Sequence, residues 1–102
     1  SDDEKAEVKL PAATLAKYAG TYKSLDVWNG EAEARFIEIS AADGALYGEV
    51  KGRGKVRLLA QTETMFTGFY GLGVRFQLDN AGKVTHLLEM HVSGDYRFVP
   101  VK

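Results

Sequence analysis

His86, Glu89 and His91 lie in one stretch, THLLEMH, and carry the imidazole and carboxylate groups that could ligate a metal or move a proton. Side chains alternate along a strand, so His86 would face one way and Glu89 and His91 the other. A stable zinc site takes three or four protein ligands, and a Glu/His pair supplies two. The spacing therefore predicts a solvated Glu89/His91 pair, no metal and no cofactor, with His86 as a polar contact in or near the core. No triad assembles around the two histidines, because no G-x-S-x-G elbow is present. The sequence has no Cys, which removes disulfides, thiolate metal sites and Cys nucleophiles. The acidic pairs Asp2-Asp3 and Glu31/Glu33 read as solubility charges.

Two other stretches invite chemistry. GFYGLG, residues 68–73, is rich in glycine but lacks the strand–turn–helix setting and the Lys-Ser or Lys-Thr of a phosphate loop. Its glycines fit a hairpin. Lys51, Arg53, Lys55 and Arg57 surround Gly52-Arg53-Gly54 and form a basic hairpin. The net charge of −1 and the lack of basic faces elsewhere argue against nucleic acid, so these cations read as a solvated hairpin.

The elements that must position these residues follow from turn chemistry. Residues 1–9 read as a mobile lead and 10–102 as a single domain. Pro11 and the helix formers of AATLAKYAG predict a short helix that stops at Gly20 in a left-handed C′ conformation. Strands are predicted over 21–27, 34–41, 45–51, 55–60, 65–70, 74–79, 83–92 and 95–101. Asn29-Gly30, Asp43-Gly44, Gly52-Arg53-Gly54, Gly71-Leu72-Gly73, Asn80-Ala81-Gly82 and Ser93-Gly94 supply the turns. Eight short sequential strands predict an all-β, antiparallel up-and-down barrel with one short N-terminal helix covering an end. An open meander sheet is the alternative. Tyr22, Phe76 and His86 are expected inside the barrel; if Tyr22, Phe36, Phe66, Phe76 and Phe98 fill it, ligand binding and internal catalysis both lose ground. No apolar run approaches the ~18 residues of a membrane span.

Leu15, Tyr18, Gly20 and Tyr22 form an L-x-x-Y-x-G-x-Y pattern. Asp43, Gly44 and Leu46 form a D-G-x-L hairpin, and Phe76, Asp79, Gly82, Lys83 and Val84 a loosely spaced F-x-x-D-x-x-G-K-V. With Phe66 before the sixth strand, this order resembles the lipocalin-like β-barrel that follows the catalytic domain in bacterial serine hydrolases of the beta-lactamase and penicillin-binding type. The resemblance spans about residues 15–101 and rests on turn and core residues. It implies an accessory module with no catalytic residue of its own, a periplasmic or secreted location, and a serine-hydrolase-type domain as partner. His86 stands where that family has a small residue. The start at Ser1 rather than Met fits either a mature exported protein or an excised domain.

In an up-and-down barrel alternate links share an end. Links 28–33, 52–54, 71–73 and 93–94 therefore form one rim, away from the helix. Trp28, Arg53, Tyr70 and Leu72 would gather there as an aromatic and apolar patch with one cation, suited to a small amphipathic ligand, a partner domain or a second copy of the chain. A Trp28 folded back as a core cap is equally compatible with the pattern. The expected function is a non-catalytic module acting through this rim. The alternatives are a small barrel hydrolase or isomerase with His86 as base, and a loop-mediated inhibitor or interaction protein.

Overall fold

The computed structural model describes residues 7–24 and 34–101. A helix, α1 (Ala12–Tyr18), precedes eight strands. The first four are β1 (Gly20–Ser24), β2 (Phe36–Ala42), β3 (Ala45–Val50) and β4 (Gly54–Ala60). The rest are β5 (Met65–Phe69), β6 (Leu72–Leu78), β7 (Val84–His91) and β8 (Gly94–Pro100). Every strand pairs antiparallel with its sequence neighbours, and β1 closes on β8 through Tyr22↔Pro100, Lys23↔Val99 and Ser24↔Phe98. The molecule is thus a closed eight-stranded antiparallel barrel. Closure leaves no unpaired edge to template association.

Alternation sends one face of each strand inward. Ile37 and Ile39 of β2, Leu46 of β3, Leu58 and Ala60 of β4, Val74 and Phe76 of β6, Leu87 of β7 and Phe98 of β8 are buried. Phe36 is not part of this core. It shares parity with the outward Glu38, and its ring is 48% exposed. The even positions of β2 point to solvent once Ile37 and Ile39 point in.

The turns explain the register. Asp43 and Gly44 have φ of 51° and 76°, the two positive values of a type I′ hairpin, and Ala42 pairs with Ala45 across them. The next such turn is displaced by one residue from the Gly71-Leu72-Gly73 expected from composition. Tyr70 and Gly71 occupy it, at φ 50° and 85°, with Phe69 opposite Leu72. A bulge between Phe66 and Phe69 causes the shift. At the β6–β7 link, Asp79 Oδ1 accepts hydrogen bonds from the Ala81 and Lys83 amides, both 2.9 Å.

The helix ends earlier than its composition suggests. Ala19 is already extended (φ −65°, ψ 139°), and Gly20 begins β1 opposite Ile39. Gly20 is therefore no left-handed cap, although its φ of 146° still favours glycine. Glu7 and Val8, expected within the lead, are tethered to β4. The Val8 amide donates to the Ala60 carbonyl at 2.9 Å, and Glu7 pairs with Arg57 at 3.0 Å. Residues 1–6 lie outside the described residues, as do positions 25–27 of the expected first strand.

Two glycine substitutions separate backbone strain from crowding. A Cβ at Gly20 meets nothing within 4 Å, so Gly20→Ala and Gly20→Val should each cost about 1–2 kcal/mol, from backbone strain alone. A Cβ at Gly48 would stand 2.9 Å from the Phe69 ring, so Gly48→Ala should cost about 1–3 kcal/mol through overpacking. Urea denaturation reads both. A Gly20→Val penalty several times that of Gly20→Ala would contradict the open site.

Candidate functional site

The barrel interior is occupied by its own side chains. The Tyr18 ring stacks on Phe76 with centroids 4.1 Å apart and planes at 14°. Phe66 meets both edge-on at 5.8 Å, and Tyr22 approaches Phe76 at 5.9 Å. Phe69 and Phe98 are fully buried above them. The void between α1 and this core, lined by Leu15, Leu46, Leu58 and Phe66, measures about 10 Å³. That is scarcely one water. Tyr22 and Phe76 thus lie inside the barrel as packing. Burial, reinforced by neighbouring Tyr18, pushes the Tyr22 hydroxyl up to about 12. It is a hydrogen-bond donor at neutral pH, not a base.

His86 lies on the outer wall, not in the interior. Phe76 pairs with Leu87 inside, so the adjacent pair Gln77 and His86 faces out. The irregular register between Gln77 and Leu78 brings Val84 inward without turning His86. Its Nδ1 lies 3.0 Å from Thr85 Oγ1. Partial burial, and secondarily the positive Arg97, lowers its pKa below the ordinary 6.5. An interior His86 base is therefore ruled out by geometry.

The Glu89/His91 pair is not solvated either. Glu89 shares the inward face with Leu87 and is 2% exposed. Its carboxylate accepts from Arg35 Nη2 at 3.0 and 3.2 Å and lies 2.7 Å from His91 Nε2. Arg35 precedes β2 on the parity of Ile37, and its amide donates to Ser24 Oγ at 3.0 Å. The guanidinium sits 5.3 Å from the centroid of Phe98, and the His91 ring 4.2 Å from that of Tyr96. Composition did not reveal this cluster. The available signal was parity, since Glu89 and Arg35 fall on the apolar faces of their strands. Chemically it is a structural ion pair, because Arg35 and His91 already engage the carboxylate. Among the described residues no group of three His, Asp or Glu side chains could hold a metal.

At the end away from α1 the structure brings Arg53 and Tyr70 together. The Arg53 guanidinium carbon lies 4.0 Å from the Tyr70 ring centroid. Tyr70 is held from two sides. Its hydroxyl accepts from the Val50 amide at 3.0 Å and donates to the Gly54 carbonyl. These bonds span the β3–β4 hairpin and support a tyrosine in the left-handed region, which side chains other than glycine, Asn or Asp seldom enter. Leu72 follows at the head of β6, half-buried. The neighbouring β7–β8 turn exposes Val92 completely. Trp28 lies outside the described residues. No protein-family model, curated protein or solved structure matches the chain.

Two outcomes check this geometry. Arg35→Ala leaves a buried carboxylate short of its main partner and should cost about 2–3 kcal/mol in chemical denaturation. Glu89→Leu should cost less, because Arg35, about a third exposed, can turn to water. The reverse order would contradict the burial asymmetry. For His86, the unfolded chain binds the proton more readily than the folded one. Its contribution to stability is thus complete above 6.5 and is lost as the pH falls through that value. Between about pH 7.5 and 5.5 the wild type should lose more stability than His86→Gln. Equal losses would contradict the shift.

Proposed function

We propose that this chain is a non-catalytic accessory barrel that docks on a partner domain through the end bearing Arg53, Tyr70 and Leu72. The observation that carries this reading is the filled interior. The rings of Tyr18, Phe66, Phe69, Phe76 and Phe98 are buried within the barrel, and the void where Leu15 of α1 meets Leu46, Leu58 and Phe66 amounts to about 10 Å³. Ligand pockets for small molecules are typically some hundreds of Å³. A small amphipathic ligand held in a lumen is therefore disfavoured, and so is catalysis inside the barrel. His86, the expected base, is engaged by Thr85 on the outer wall.

What remains is the outer surface. The end opposite α1 offers a rigid aromatic–cation pair, half-buried Leu72 and fully exposed Val92. The sequence resemblance to the lipocalin-like barrel of beta-lactamase-type serine hydrolases makes such a hydrolase domain the expected partner. A bacterial periplasmic or secreted setting belongs to the same reading.

A photo-cross-linking amino acid at position 92 tests the docking end, with one at Thr85 on the outer wall of β7 as control. In cells of the source organism, position 92 should yield one discrete adduct, identified by mass spectrometry as a hydrolase-type domain, and position 85 none. An adduct of twice the chain mass would make the partner a second copy. Equal labelling from both positions, or none from position 92, would overturn the docking reading.

A further inference from the structure

We infer that Arg53 is a preorganised carboxylate receptor, so that the partner presents an acidic loop or surface to the β3–β4 hairpin. This rests on the docking reading and specifies the partner's chemistry. Arg53 is exposed, and its contact among the described residues is the Tyr70 ring. Arg35 and Arg57, by contrast, each engage a carboxylate at 3.0 Å. A guanidinium over an aromatic ring loses solvent from one face while its in-plane N–H donors stay available. That fork matches a carboxylate bidentately.

The platform under Arg53 is fixed independently of it. Tyr70 is anchored through its hydroxyl to Val50 and Gly54, the residues flanking the hairpin loop that carries Arg53. The Arg53 amide donates to the Val50 carbonyl at 2.9 Å, which holds its backbone in the same turn. Ring and guanidinium are therefore positioned by one hydrogen-bonded unit, and less side-chain freedom is lost on binding. Lys51 and Lys55 flank Arg53 and are also exposed, and the ion pairs among the described residues involve neither. The cations are confined to one hairpin, and Glu49 stands across the ladder from Lys55. A short acidic protein segment fits this footprint better than the continuous phosphate backbone of a nucleic acid.

The test uses isotopically labelled full chain titrated with a capped hexaglutamate peptide at low salt, read at the Arg53 Nε–Hε resonance. A dodecathymidylate is the phosphate control. Hexaglutamate should shift Arg53 and the Gly52, Gly54 and Gly71 amides saturably, and salt should weaken the effect. Arg53→Lys keeps the charge but loses the fork, and should weaken binding about fivefold or more. An unmoved Arg53 resonance, Arg53→Lys binding as tightly as wild type, or tighter binding of the oligonucleotide would each overturn the inference. The docking reading is judged separately, by the adduct from position 92. If that adduct persists undiminished in Arg53→Ala, docking stands and carboxylate recognition falls. If it is missing in the wild type, docking falls and the peptide titration still decides what Arg53 recognises.

Discussion

Tyr18 closes one end of the barrel, and much of the architecture depends on how it is held. Its ring lies on Phe76, its hydroxyl donates to the Glu63 carbonyl at 2.7 Å, and its own carbonyl accepts from the Tyr22 hydroxyl at 2.8 Å. A seven-residue helix is too short to persist alone in water. Here it persists because Leu15 and Tyr18 are buried in the barrel mouth. The Tyr22 hydroxyl supplies a partner for a carbonyl that the helix end would leave open. The chain can then pass directly into β1 without a glycine cap. Tyr18 also ties the β4–β5 link to the helix, so the end of the barrel, the helix and the first strand form one packed unit.

That packing decides where function can reside. An eight-stranded barrel is just wide enough for its side chains to fill it or to leave space for one small ligand. This chain takes the first course, with Tyr18, Phe66, Phe69, Phe76 and Phe98 all buried inside. The buried charge, Glu89 with Arg35 and His91, is satisfied internally, and no buried side-chain nitrogen or oxygen lacks a partner among the described residues. The two ends then differ in kind. One is sealed by α1, and the other carries the Arg53–Tyr70 pair on a turn held by hydrogen bonds to a neighbouring hairpin. Tyr70 serves both purposes, since its hydroxyl secures the hairpin and its ring carries the cation.

Much of this was legible in the sequence where the cause is local. Asp43-Gly44 specifies its own turn, because both residues tolerate positive φ. Regular strand lengths and glycine-bearing links announced eight strands, and Ile37 and Ile39 announced which face of β2 is buried. What escaped depends on distant partners. Tyr70 enters the left-handed region because Val50 and Gly54 hold its hydroxyl, and no property of YGLG encodes that. The bulge before Phe69 shifts the turn by one residue. Phe36 is aromatic, yet parity places it outside. Glu89 is charged, yet parity places it inside, where Arg35, more than fifty residues away, makes it tolerable. Parity separates His86 from Glu89 and His91, and the buried Leu87 beside it decides that His86 takes the outer face.

Buried side chains fill the barrel interior, and the proposed docking therefore lies on the outer surface. The methyl resonances of Leu46, Leu58 and Leu87, all buried, report on that interior directly. Titration with myristate, an amphipathic probe of the kind a lumen would take, should leave all three unshifted up to the solubility of the acid. Saturable shifts confined to these interior methyls would show that the barrel opens to a ligand, and would contradict the account.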